Sequence, residues 1–205
     1  MENFNSYYNE AINKRLDPSK GEWFHGDQMQ RNTFKYQNMD RDQSSQSLNE
    51  HGPGIYFTRN FSEALGYAYS NGYVYTVNIN IKQKIIKDGM KSNPETIKRL
   101  IDWCPEDRKI IGLSNWDEDP NIAYKKAITT YSKYRLMESC LAVYTDFYGN
   151  SEANEWANSM YNLGFDAYWR FLDETEHLVV YNPQIISIIN EKDYHTASQL
   201  PHPKG

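Results

Sequence analysis

The sequence predicts an α+β fold in which a mostly antiparallel β-sheet core is interrupted by a helical insert over about 84–163. The clearest observation is segment 73–81, where apolar and polar residues alternate with the period of a half-buried strand. Further short apolar segments typical of strands follow at 166–171, 177–181 and 185–189. Between these two groups of strands, prolines recur at intervals typical of short helices.

The N-terminal part of the chain alternates predicted elements with polar segments. Residues 4–16 are predicted to form a short helix, and a short strand is expected at Trp23–His25. Residues 27–53 are polar and are predicted to form a long loop, which in a compact domain usually has a function or lacks fixed structure. Ser62 is expected to cap a helix over 63–70, because serine is favoured at the N-cap.

The limits of the helices in the insert follow from proline and glycine. Pro94, Pro105 and Pro120 interrupt the helical pattern, and Gly164 is expected to end the last helix. The predicted helices cover 93–102, 105–112, 119–131, 135–148 and 151–163. The sequence shows neither internal repeats nor a second domain, so residues 1–205 are expected to form one domain.

Charge and cysteine content narrow the class of protein. The net charge is −5, which argues against a protein that is held to nucleic acid by a strong general positive field. A short-lived contact between nucleic acid and a local basic patch is not excluded. Cys104 and Cys140 form no metal-binding pattern, so we expect free thiols, no metal and a reducing compartment. Neither a secretory signal nor an apolar run of membrane-spanning length is visible, so a cytoplasmic location without a membrane partner is expected.

Four short blocks in the chain carry the functional information. The first contains Phe-His-Gly, the second Gly-Pro-Gly-Ile-Tyr-Phe-Thr, the third Ala-Leu-Gly-Tyr and the fourth Thr-Glu-His-Leu-Val-Val-Tyr-Asn. They occupy Phe24–Gly26, Gly52–Thr58, Ala64–Tyr67 and Thr175–Asn182. Their order and content resemble the NAD-binding signature of ADP-ribosyltransferases of the poly-ADP-ribose-polymerase and diphtheria-toxin type, the His-Tyr-Glu branch. The insert is similar in style to transferase domains of phage and mobile-element proteins.

The resemblance implies both a fold and an activity. The fold would be the split antiparallel β-sheet core of that family. The activity would be NAD-dependent mono-ADP-ribosyl transfer to a protein or nucleic acid, with release of nicotinamide, in a toxin, effector or phage-encoded modifier. Polymer synthesis is less expected, because chain elongation needs an acceptor-binding loop and a well-placed glutamate. NAD is then a substrate, and an antitoxin or inhibitor is a possible partner.

Cleavage of NAD requires a pocket for a flat polar ring and a way to stabilise positive charge that develops on the ribose. By resemblance, His25 bonds the adenosine-side ribose and the backbone of Gly26 clamps the nicotinamide carboxamide. Tyr56 is the middle residue of the His-Tyr-Glu set, and Phe57 follows it in the cofactor-binding block. Tyr67 lies eleven residues after Tyr56, at the spacing of the tyrosine that stacks on nicotinamide.

One position departs from the family, and another is ambiguous. Ala64 stands where many members have a serine that bonds the carboxamide, and Ser62 is a nearby substitute. For the catalytic carboxylate, alignment on Gln184 selects Glu176, whereas alignment on the Tyr-Asn pair selects His177. Neighbouring strand residues point to opposite faces, so only one of the two can face the cleft unless a bulge intervenes. We prefer Glu176, because an anion stabilises the ribose cation whereas a neutral histidine can only hydrogen-bond.

Two other functions fit the same four blocks. A histidine in place of the catalytic glutamate would favour an NAD- or ADP-ribose-binding module without catalysis, and measuring nicotinamide release separates the two. An NAD glycohydrolase would use the same residues with water as the acceptor, and a covalent ADP-ribose adduct would exclude it. The arginine-modifying branch is not expected, because its first two blocks are absent although Glu174 and Glu176 match its last one.

Overall fold

A mixed sheet of seven strands organises the part of the chain that the computed structural model describes, namely residues 17–35, 52–149, 152–172 and 175–200. The strands are β1 (Trp23–Asp27), β2 (Ile55–Thr58), β3 (Tyr73–Ile79), β4 (Lys84–Lys87), β5 (Phe165–Leu172), β6 (Thr175–Val180) and β7 (Ile186–Asp193). They lie in the order β4-β5-β6-β2-β1-β3-β7. With the helices, this sheet confirms the predicted α+β class.

Most of the helices lie between β4 and β5, where the sequence predicts the insert. They are α1 (Phe61–Ala68), α2 (Pro94–Trp103), α3 (Glu106–Ser114), α4 (Pro120–Tyr131), α5 (Leu136–Val143), α6 (Ala153–Asn162) and α7 (Tyr194–Ser198). A π-helical segment, Tyr144–Tyr148, continues α5. Proline occupies the first position of α2 and α4 and directly precedes α3, as expected for a residue that lacks a backbone donor. Gly164 follows α6 with φ of +93° and ends it as predicted.

The insert begins later than the sequence predicts, because 84–87 is a strand. β4 pairs with β5 in parallel, whereas every other neighbouring pair in the described sheet is antiparallel. Ile85 and Ile86 are flanked by lysines in a run of only four residues, and Ile86 is fully buried. So short a run shows too little alternation to be distinguished from the start of a helix.

Two local predictions need correction. Asn60, not Ser62, caps α1: its side-chain oxygen accepts the backbone N–H groups of Ser62 (3.0 Å) and Glu63 (3.3 Å), so the helix begins two residues earlier than expected. The short helix α7 was not predicted, and Asp193 caps it by accepting the N–H of Thr196. The helix predicted at 4–16 and most of the predicted loop lie outside the described residues.

The alternating segment forms β3 as predicted, but both of its faces are covered. Tyr75, Val77 and Ile79 lie in the main core. Val74, on the other face, is also buried (2% exposed), because α1 packs there. This smaller cluster contains Phe61, Ala64, Leu65, Ala68, Val74 and Ala197. The position of α1 against β1 and β3 is therefore fixed by apolar contacts along one side of the helix, which leaves its other side available to a site.

Candidate active site

The sheet opens between β1 and β2, the two strands that carry the first two sequence blocks. β1 pairs with β3 along its whole length but with β2 at a single position, Phe24 with Thr58. The two strands therefore separate beyond that pair, and His25 and Gly26 border the opening. A local separation of this kind exposes backbone groups that a continuous ladder would use.

Gly26 directs its peptide groups toward this opening. The carbonyl of Tyr56 faces β1, because the Nδ1 atom of His25 bonds it at 2.7 Å. Alternate residues of a strand direct their N–H and C=O groups to the same side, so Thr58 and its partner Phe24 also bond across this edge. Gly26 is the next residue after Phe24 with that orientation, and it lies beyond the last pair. A Cβ atom here would overlap the carbonyl of Ala64 in α1, so only glycine fits.

His25 lies at the border of the opening, and its ring also packs against core residues. Nδ1 carries the hydrogen, since the Tyr56 carbonyl can only accept. The ring packs against Phe34 and Phe57, with centroids 5.1 and 5.5 Å away, and its side chain is 11% exposed. Burial raises the pKa of the neighbouring Asp27, but hydrogen bonds from His25 and Arg31 outweigh it and lower this pKa to about 2.

The pairing of β2 with β6 decides which residues of the fourth block share a face with Tyr56. Tyr56 pairs with Val179 and Thr58 with His177, and directly paired residues project to the same side. We call this side, with Tyr56, Thr58, His177 and Val179, the Tyr56 face. Glu176 alternates with His177 and projects to the opposite side. The β2–β6 register contains no bulge, so the structure puts His177, and not the preferred candidate Glu176, beside Tyr56.

On the Tyr56 face, His177 bonds a glutamate from α1. Its Nε2 atom lies 2.8 Å from Oε1 and 3.0 Å from Oε2 of Glu63. The Thr58 hydroxyl donates to the same carboxylate at 2.6 Å. Partial burial raises the pKa of Glu63, but the hydrogen bonds from His177 and Thr58 outweigh it, so the net pKa lies below the ordinary value. The carboxylate is therefore an anion at neutral pH, held in one orientation and 27% exposed.

On the opposite face, Glu176 forms a structural ion pair. Its Oε2 atom lies 3.5 Å from Nε of Arg59, and the two side chains are 12% and 15% exposed. The Arg59 guanidinium also stacks on Trp23, 4.0 Å from the ring centroid, and donates to two backbone carbonyls. Burial lowers the pKa of Arg59, and the charge of Glu176 opposes that effect. Glu176 is thus engaged in holding Arg59.

The remaining candidates occupy different environments. Tyr67 lies one turn after Glu63 on the same side of α1, and is 49% exposed. Ser62 is exposed on another side of the helix, and Ala64 is fully buried against β1. Phe57 is buried (2% exposed) on the side of the sheet opposite Tyr56, where it contacts His25. Glu63 and Tyr67 together therefore form the open side of α1 next to the Tyr56 face.

Sequence reasoning missed Glu63, although a signal for it was present. If Tyr67 faces a cleft from a helix, the residue four positions earlier lies on the same side of that helix. Glu63 is that residue, and it is also five residues after the end of the Gly-Ile-Tyr-Phe-Thr block. The contact with His177 spans 114 positions of sequence, so the pairing itself could come only from the fold.

Neither cysteine is suited to nucleophilic catalysis. Cys104 and Cys140 are free and buried, and burial raises the pKa of each thiol to about 12. Within the described ranges, no three His, Cys, Asp or Glu side chains are grouped as metal ligands. In the same ranges, every helix is too short or too polar to cross a bilayer.

Comparison of the chain with protein-family models, with curated proteins and with solved structures finds no match in any of the three. The inference of function therefore depends on the residues and geometry described above.

Proposed function

We propose that this protein is a mono-ADP-ribosyltransferase that uses NAD as a substrate and releases nicotinamide. The observation that carries the proposal is the opening of the sheet beyond the pair formed by Phe24 and Thr58. It presents the peptide groups of Gly26 next to Tyr56, and these two residues belong to separate blocks of the resemblance. A binding site for a flat amide needs this combination of free backbone groups and an aromatic wall.

In the proposed complex, the nicotinamide carboxamide bonds the N–H and C=O groups of Gly26. The ring is gripped by Tyr56 from β2 and by Tyr67 from α1. Tyr67 is 49% exposed, so part of its side chain is accessible to a ligand. His25 lies at the border of the opening, and its Nε2 atom is 3.5 Å from a carboxylate oxygen of Asp27. In the complex this atom exchanges the contact with Asp27 for a hydroxyl of the adenosine-side ribose. The acceptor is a protein or nucleic-acid group that attacks the ribose once nicotinamide leaves.

The direct test is to incubate the purified protein with NAD and to measure nicotinamide by chromatography. A parallel incubation of cell lysate with labelled NAD, followed by separate protease and nuclease digestion, identifies the class of acceptor. We expect nicotinamide release together with a covalent label that one of the two digestions removes. A protein that shows no NAD binding by calorimetry and no nicotinamide release would disprove the proposal.

A second candidate function is an NAD- or ADP-ribose-binding module without catalysis. The observation that favours it is the position of His177 on the Tyr56 face, where the resemblance leads one to expect an acid. Such a module would bind NAD in calorimetry but release no nicotinamide, with or without lysate. Release without any covalent label would instead indicate an NAD glycohydrolase, since water would then be the acceptor.

A further inference from the structure

The Tyr56 face does hold a carboxylate, although no strand residue supplies it. Glu63 projects from α1 onto His177 of β6, and Thr58 of β2 bonds the same group. Three secondary-structure elements therefore converge on one carboxylate that is neither buried nor freely solvated. An ionised carboxylate has about four lone-pair positions. His177 and Thr58 account for three contacts with it, so it keeps acceptor capacity for a ligand hydroxyl.

We propose that Glu63 is the catalytic carboxylate of this transferase, and that His177 and Thr58 are positioning residues that present it to the ribose of NAD. The inference rests on the proposed function and names the residue that performs its electrostatic step. Helix α1 then supplies the anion that the resemblance places on the strand.

The chemistry required of Glu63 is electrostatic. The bond between ribose C1′ and the nicotinamide nitrogen breaks, and its electron pair goes to the ring, which leaves as neutral nicotinamide. The ribose is left with positive charge shared between C1′ and the ring oxygen. Glu63 stabilises this charge and accepts a hydrogen bond from a ribose hydroxyl, without forming a covalent bond. The acceptor then bonds to C1′ and loses its proton to water.

The two positioning residues account for the histidine on the strand. His177 Nε2 must carry a hydrogen, because it faces both oxygens of an ionised carboxylate. A glutamate at position 177 would face Glu63 at the same short distance, and the two like charges would repel. A histidine at position 177 and a glutamate on α1 are therefore mutually consistent.

The test compares Glu63→Gln with two matched substitutions, measured as nicotinamide release and as NAD affinity by calorimetry. Glu63→Gln keeps the shape of the side chain but removes its charge, so the rate should fall by about 10²–10³ while the NAD Kd changes less than about threefold. Glu176→Gln tests the competing carboxylate. Glu106→Gln, whose side chain is 75% exposed on α3, is the control for loss of a surface charge and should leave the rate unchanged.

Positioning is tested by rescue and by the pH profile. His177→Ala should lower the rate about tenfold or more, whereas His177→Gln, which retains a side-chain N–H donor, should recover part of that loss. Thr58→Val removes the hydroxyl and Thr58→Ser keeps it, which gives an independent pair. Each loss of a donor should shift the acid limb of the rate profile to higher pH, because Glu63 would then ionise less readily. A purely structural role would lower thermal stability without moving that limb.

The outcomes separate this inference from the proposed function. An active wild type with an equally active Glu63→Gln variant overturns the inference and leaves the transferase in place. Loss of activity in Glu176→Gln alone, in a protein with a normal thermal transition, assigns the role to Glu176 and also overturns it. A wild type that binds NAD without turnover overturns the inference in favour of the binding module. A wild type that does not bind NAD overturns both proposals together.

Discussion

Two glutamates lie on opposite faces of the sheet near the end of the β2–β6 pair. Glu176 belongs to β6 itself, whereas Glu63 reaches β6 from α1. Glu176 pairs with Arg59, and both side chains are almost withdrawn from water. Glu63 pairs with His177, the residue next to Glu176, and 27% of its side chain is exposed. One step along a strand therefore separates a nearly buried ion pair from a hydrogen-bonded pair whose carboxylate is partly exposed.

The difference shows that the role of an acidic residue in a motif depends on which face of the sheet it occupies and which side chains it contacts. Arg59, which pairs with Glu176, also stacks on the fully buried ring of Trp23. Moving Glu176 away would therefore leave a nearly buried cation without its anion. Among the described residues, the pair on the Tyr56 face has no buried arginine or aromatic stack of this kind. Its carboxylate is held by a hydroxyl and an imidazole, both of which leave it able to accept another hydrogen bond. The comparison predicts that the first pair affects folding and the second affects chemistry.

The largest expected effect on stability is that of Arg59→Ala. This substitution removes the stack on Trp23 and two bonds to backbone carbonyls, and it leaves Glu176 nearly buried without a partner. The free energy of unfolding should fall by about 3 kcal/mol, as measured by urea denaturation. Adding Glu176→Gln should recover part of the loss, because the unpaired charge is then removed. A loss below about 1 kcal/mol would show that the Glu176 pair is not part of the core.

A slightly smaller effect is expected from Gly26→Ala, which tests whether α1 must lie tightly against β1. The new Cβ would overlap backbone atoms of Ala64 and Ala68, and helix backbone cannot move aside as a flexible side chain can. We expect a loss of about 1–3 kcal/mol of unfolding free energy, together with weaker NAD binding, since α1 carries Glu63 and Tyr67. Gly66→Ala is the matched control, because a Cβ there meets nothing within 4 Å. Equal stability of the two variants would contradict this account.

Tyr67→Ala should affect binding and leave stability nearly unchanged. The ring is half exposed, so its removal should change the free energy of unfolding by less than about 0.5 kcal/mol. Loss of the stack on nicotinamide should weaken NAD binding about tenfold, equivalent to about 1.4 kcal/mol. Tyr67→Phe keeps the ring and serves as the control in calorimetry. Wild-type affinity in a folded Tyr67→Ala protein would remove Tyr67 from the proposed site.

The sequence was sufficient for the elements whose local pattern agrees with their environment. The strand predicted at 73–81, the helix starts near proline and the glycine after α6 follow from periodicity and backbone geometry. The structure contains each of them, with the strand ending at Ile79. It was insufficient for β4, because a four-residue strand pairs in parallel with β5, about eighty positions further along the chain. Local pattern contains no information about such a partner.

The candidate site divides in the same way. Residues are adjacent in sequence only within each block, and it is the resemblance that led us to expect the separate blocks to meet in one place. The choice between Glu176 and His177 required the register of β2 with β6, and a shift of one residue reverses it. Sequence alignment offers two registers of nearly equal merit. Hydrogen bonding between the strands puts His177 beside Tyr56, and only the fold shows that Glu63 contacts it.

The smallest expected effect is the contribution of Glu63 to stability as a function of pH. Its pKa in the folded protein lies below the ordinary value of 4.5, so ionised Glu63 stabilises the fold above that value. This contribution is lost as the pH falls through the lower, folded pKa. The difference in unfolding free energy between wild type and Glu63→Gln should be less than about 1 kcal/mol at pH 7 and should shrink below about pH 4.5. Urea denaturation at several pH values measures it. A difference that exceeds the effect of Arg59→Ala, or that grows in acid, would place Glu63 with the core pair and reverse the comparison.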